Sequence, residues 1–233
     1  VALEVARAFD AAGIDLAALG VAWAGALPIV FLVPAFGLKA LPGSARAVIA
    51  LALGASIAPS VALGASNDVA LVEMVTRGFA IAVAAAVPLW AATMAGGVMD
   101  ALRGTREPAG VPVVEGRPTP LGVPLSLLAS SIFLTQGGAS RAASALVQGA
   151  ASVNPIAQAA HDLTAGISLA VALGAPILTA SVVVEVGAAL VARAVLPAHV
   201  HGLLAPLRAL AVLLVLAVSV DRIAEGIAIA VRR

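Results

Sequence analysis

The chain has no cysteine, which removes disulfides, thiolate chemistry and cysteine-ligated metal sites in one step. Charge is scarce as well. Only 11% of residues are Asp, Glu, Lys or Arg against 62% hydrophobic, too little polar surface to coat a water-soluble globule. A formal net charge of +1 provides no field that would attract nucleic acid or a strongly acidic substrate. Tyrosine is absent, so Trp23 and Trp90 are the main candidates for aromatic anchors. There is no phosphate-binding glycine loop, no Ser/His/Asp set and no pair of carboxylates at catalytic spacing. No catalytic residue, no cofactor and no enzymatic activity is expected. His199 and His201 stand two apart after Pro197 with no carboxylate nearby in sequence, which is too little to hold a metal.

What the chain does have is length without charge. Uncharged windows separate Asp15 from Lys39, Arg46 from Asp68, Arg77 from Asp100, Arg117 from Arg141 and Asp162 from Glu185. Each is close to the roughly 20 residues that a helix needs to cross a bilayer. Lipid offers no partner to a free amide or carbonyl, and the alternating pattern of a membrane strand is missing. The expected fold is therefore all-α: a polytopic membrane protein of about six apolar helices, arranged as broken hairpins in a single domain over 1–233.

After an N-terminal segment, 1–16, in which Glu4, Asp10 and Asp15 accompany Arg7, the first apolar stretch runs from Ala17 to Leu38. The acidic start is unlike the basic head of a cleavable signal peptide. Pro28 and Pro34 predict kinks or a break in the first stretch. A turn at Leu41-Pro42-Gly43-Ser44 leads into a second stretch, Ala47 to Ala65, and so short a connection predicts a helical hairpin. The third stretch, Gly78 to Met99, holds Pro88 and ends at Asp100. The loop 103–120 follows, rich in glycine, proline and charge. A fourth stretch begins at Leu121 and passes Phe133 to reach Gly137-Gly138. The segment 139–162 carries Arg141, Gln148, Asn154 and Gln158, and as a polar helix or helical loop it belongs outside the lipid core. The last two stretches are Thr164 to Ala192, containing Glu185, and Leu203 to Val220, containing Arg208. Lysine and arginine divide evenly between the two sides of a six-span arrangement, so charge does not set an orientation.

Among the polar residues, Glu185 is notable because an ionisable group after a long uncharged run faces a protein interior or a water-filled path. It needs a partner. Arg193 is eight residues on, about 12 Å along a helix axis, too far to bond without a bend, so pairing with an adjacent helix, a polar site in a conduit and snorkelling all stay open. Asp100 and Arg103 have the spacing of a local ion pair, and Gly96-Gly97 permits close helix approach; a solvated helix end is the plainer reading. The loop residues Gly104, Thr105, Arg106, Glu107, Pro108 and Gly110 either occlude a passage or simply connect two helices.

Several stretches, in order along the chain, resemble the FliR/SctT (YscT/HrcT/SpaR) family of export-apparatus subunits from type III secretion and flagellar systems. Leu27-Pro28 to Phe36, then Leu41-Pro42, Arg46 and Ile57-Ala58-Pro59-Ser60 are similar to the family's first hairpin. Gly96 to Gly104, reading GGVMDALRG, is similar to the end of its third helix, and Phe133 to Gly138 to its glycine-pair segment. Ala175-Pro176, Glu185, Arg193, Pro206 and Arg208 stand in the spacing of its C-terminal signature. There are departures: Pro197 comes late and is followed by Ala198-His199, Arg208 replaces the usual lysine, and Glu107-Pro108 matches an acidic-proline pair loosely.

The resemblance implies a non-enzymatic, multi-pass subunit of the bacterial inner membrane. With FliP/SctR-type and FliQ/SctS-type subunits it would form a gated channel for unfolded protein substrates, beside FlhB/SctU-type and FlhA/SctV-type proteins that handle switching and energy coupling. Its loop after the third helix would help to close the pore, with Asp100, Arg103, Glu185, Arg193 and Arg208 at subunit contacts. The resemblance also implies helices standing largely above the membrane plane, packed on partners as well as on lipid. Both the flagellar and the injectisome branches fit. A small stand-alone transporter is the alternative reading.

Overall fold

A computed structural model describes residues 15–36, 41–61, 67–104, 119–148, 154–194 and 201–232, with backbone alone at 67–69 and 201–205. Among the described residues the α-helices are α1 (Leu16–Leu32), α2 (Gly43–Ile57), α3 (Asn67–Leu102), α4 (Gly122–Thr135), α5 (Gly138–Gln148), α6 (Pro155–Ala194) and α7 (His201–Arg232), with short 3₁₀ turns at Pro34–Phe36 and Ala58–Ser60. No described residue is in a strand. The protein is an all-α polytopic membrane protein, and the six apolar stretches correspond to α1, α2, α3, α4, α6 and α7.

Local chemistry sets the helix ends. Asp15 caps α1, its Oδ1 accepting from the amides of Ala17 and Ala18 at 2.8 and 3.2 Å. The helix runs through Pro28 but stops at Leu32, because Val33 precedes Pro34 and is held extended at φ −78°, ψ 115°. Asn154 caps α6 by accepting from Ile156 and Ala157 at 3.1 Å, with Pro155 at the first helical position. Gly137, at φ 72°, turns α4 into α5, a conformation costly for any residue with a Cβ.

Four boundaries differ from the sequence reading. α2 begins at Gly43, inside the turn expected at 41–44, with Pro42 as its extended N-cap. α3 begins at Asn67, well before the apolar stretch, because its first turns carry a Glu73–Arg77 pair at 2.7 Å in the favourable acid-first i, i+4 order. The polar segment divides into α5 and the first two turns of α6. α7 continues past Asp221 to Arg232, since Ile223 and Ile227, one turn apart, are both buried.

The chain divides into two compact units, Val1–Val87 with Gly137–Leu163, and Pro88–Gln136 with Thr164–Arg233. In the first, α1 and α2 pack as the expected hairpin. Ala26, Val30 and Ala50 form its core, flanked by Trp23, Leu27, Phe36, Ile49 and Leu53. The Trp23 indole donates to the Ala47 carbonyl at 3.1 Å, and the Arg46 guanidinium lies 5.8 Å from the centre of the Phe31 ring. α5 turns Gly138, Ala142 and Leu146 inward at four-residue spacing. In the second unit α4 packs on α7, and a methyl group on Gly226 would lie 3.2 Å from Leu173 Cδ2, so α6 and α7 also approach closely.

Three spans are long and apolar enough to cross a membrane: Gly43–Ser60, Ala70–Leu102 and Pro155–Ala194. Leu16–Leu32 and Gly122–Thr135 are shorter apolar helices. The three spans differ in how much of themselves the chain covers, at 17%, 61% and 22% buried.

Candidate functional site

The polar residues singled out in the sequence gather at two places, both within the second unit. The first is the junction of α3 and α4. Asp100 sits in the last turn of α3 and is 1% exposed, and its two carboxylate oxygens have different partners. Oδ1 accepts from the Arg103 guanidinium at 2.5 Å; Oδ2 accepts from the Leu121 amide at 2.6 Å. The Thr119 hydroxyl accepts from the Gly122 amide at 3.1 Å. Two of the first amides of α4 are thereby satisfied, one from the preceding helix and one locally. Close beside them the helices nearly touch: a methyl group on Gly96 would stand 2.5 Å from Gly122 Cα. α3 itself closes on Gly104, at φ 79°, whose amide donates to the Ala101 carbonyl at 3.1 Å.

The second place is on α6 and α7. Glu185 Oε1 lies 2.6 Å from an Arg208 guanidinium nitrogen, the side chains 52% and 36% exposed. The neighbour that Glu185 required is therefore Arg208. In water a pair so exposed contributes about 0–1 kcal/mol, whereas a lone charge facing lipid costs several. Pairing lets both charges stay on a surface that is otherwise apolar, since Val182, Val186, Leu207 and Leu210 on the same helices are all exposed. Arg193 is exposed in the last turn of α6, where a cation complements the helix dipole, and has no ion-pair partner among the described residues.

Thr105, Arg106, Glu107, Pro108 and Gly110 lie outside the described residues, as does His199. No three His, Asp or Glu side chains converge as metal ligands among the described residues. The sequence reading missed Thr119, the Leu121 amide and Gly122. A backbone amide has no residue-type signal, and a threonine three before a glycine is common. It also missed Ser126 and Ser130, one turn apart on α4, both buried with hydroxyls that make no hydrogen bond.

A family model described as Bacterial export proteins, family 1, matches residues 16–232. The chain belongs to this family, the FliR/SctT export proteins. No curated protein matches the sequence. The family match runs from the first helix to the last and takes in both polar sites. The membrane helices described above are thus those of a structural component of a protein-export apparatus. Within this export protein Glu185 and Arg208, 23 positions apart, come together as one ion pair.

Proposed function

We propose that this export protein is the FliR/SctT-type subunit of the export gate in the bacterial inner membrane. With FliP/SctR-type and FliQ/SctS-type subunits it forms the channel through which unfolded substrates leave, adjoining FlhB/SctU-type and FlhA/SctV-type proteins. The loop 103–120 contributes to closing that channel. Asp100, Arg103, Glu185, Arg193 and Arg208 stabilise the helix ends and surfaces that meet other subunits.

The observation that supports this reading most strongly is α6. Forty helical residues extend about 60 Å, twice the roughly 30 Å of bilayer hydrocarbon, and only 22% of the span is buried by its own chain. Val182, Val183, Val186, Leu190 and Val191 are half or more exposed along its C-terminal half. Apolar surface beyond the reach of lipid needs protein to cover it. Co-expression with FliP/SctR-type and FliQ/SctS-type partners, followed by native mass determination, tests the proposal. A stable hetero-oligomer containing this chain is the expected result. A well-folded solitary monomer that ignores those partners, and is stabilised by a small solute, would point to a stand-alone transporter instead.

A further inference from the structure

The C-terminal half of α6 has two faces of different kinds. Leu173, Ile177 and Ser181, at four-residue spacing, are buried. On the opposite side Thr179, Val183, Val186, Leu190 and Arg193 are all exposed, and they succeed one another at intervals of four, three, four and three residues. That alternation is the heptad step of 3.5 residues, by which one helix offers a straight row of side chains to another laid alongside it. The row is two heptads long, about 21 Å. Its first member asks nothing polar of a neighbour, since the Thr179 hydroxyl already donates to the Ala175 carbonyl at 2.9 Å.

The polar demand of this face lies at its other end. Glu185 stands beside the row and is already paired with Arg208. Arg193 closes the row and has no ion-pair partner among the described residues. Covering the row with protein takes water from its guanidinium, a cost that a facing carboxylate offsets through a charge-assisted hydrogen bond. A second copy of this chain fits poorly. Laid parallel it would set Arg193 against Arg193, and laid antiparallel it would set Arg193 against the uncharged Thr179.

We infer that this row seats a single helix of another export-apparatus subunit, apolar over about two heptads and carrying an Asp or Glu where it meets Arg193. This rests on the export-gate reading and narrows it from a covered surface to one helix in a stated register. The Glu185–Arg208 pair then borders the contact, while Arg193 supplies the charge that selects the partner.

The test uses the complex co-assembled with FliP/SctR-type and FliQ/SctS-type subunits, with a photoreactive residue placed in turn at Val186, Leu190 and Val191. Val191 is the control, since its 50% exposure nearly equals the 55% of Val186, while it lies about 140° around the helix from it. Positions 186 and 190 should give adducts that map to one helix of a neighbouring subunit, and position 191 should lose them. Arg193→Glu should lower the yield of intact complex about tenfold or more, as like charges do at a desolvated interface. Arg193→Gln should lower it less. Exchanging the partner's carboxylate for lysine should restore assembly to Arg193→Glu. Equal partner adducts from 186 and 191, adducts with lipid alone or with a second copy, a partner helix lacking a carboxylate beside Arg193, or wild-type yield from Arg193→Glu would each overturn the inference. If the Arg193→Glu chain loses helix content on its own, Arg193→Gln decides, with wild-type yield counting against the seam. Should the unsubstituted chain never join these partners, the export-gate reading fails, which is a different result from a seam that fails inside a formed complex.

Discussion

α3 and α6 are both long, apolar and interrupted by a proline, Pro88 and Pro176 respectively, yet the chain buries 61% of one span and 22% of the other. In α3, Ala82, Ala86, Leu89, Ala92 and Met99 have essentially no exposure. In α6, Val183, Ile167 and Leu190 are each more than 60% exposed. Hydropathy is blind to this difference, because it measures only that a helix avoids water. Small residues such as Ala82, Ala86 and Ala92 are covered on α3, although Phe79, Met94 and Val98 stay exposed; on α6 valine and leucine side chains are exposed along most of the C-terminal half. The chain itself covers most of one span and little of the other.

The comparison breaks most visibly if truncation costs the same in both helices. Met99→Ala should destabilise the isolated chain by about 2–5 kcal/mol in a chemical denaturation series, as for other fully buried side chains. Leu190→Ala should change that value little and should weaken co-assembly. Next come the glycines. Gly96→Ala drives a methyl into Gly122 backbone and should cost about 1–3 kcal/mol. Gly187→Ala meets nothing within 4 Å and should gain a few tenths, up to about 1 kcal/mol, from helix propensity. Glu185→Ala is a smaller perturbation, about 0–1 kcal/mol in the isolated chain, with its main effect a weaker hetero-oligomer on native gels. Assembly unchanged by Glu185→Ala would remove the polar pair from the subunit interface. Arg208→Lys should be the mildest, within about 0.5 kcal/mol. It keeps the charge and restores the residue that the family resemblance leads one to expect there.

Much of the helical plan was legible because charge is expelled from apolar helices and concentrates at their ends. The break before Pro34 and a helix starting just after Pro42 followed from proline chemistry, although the expected 41–44 turn is shorter because α2 already begins at Gly43. The early start of α3 was not legible, since Glu73 and Arg77 read as a polar connection unless their four-residue spacing is taken as a helix signal. Of the candidate sites, Asp100–Arg103 was visible as a local spacing, but the Leu121 half of the junction was hidden because a backbone amide looks alike in every sequence. Glu185 was visible as a charge in need of a partner. That Arg208 supplies it depends on how α6 and α7 pack, which no local pattern encodes. Whether an apolar face meets lipid, its own chain or another protein is likewise a property of packing, and composition gives all three the same appearance.

The most direct measurement of the central claim, that the exposed face of α6 is covered by partner subunits, is photo-crosslinking from position 183. A photoreactive residue replacing Val183, which is 66% exposed, should yield adducts with a neighbouring export-apparatus protein when the chain is expressed with its FliP/SctR-type and FliQ/SctS-type partners. Adducts with lipid alone, in membranes where those partners are present, would contradict the account.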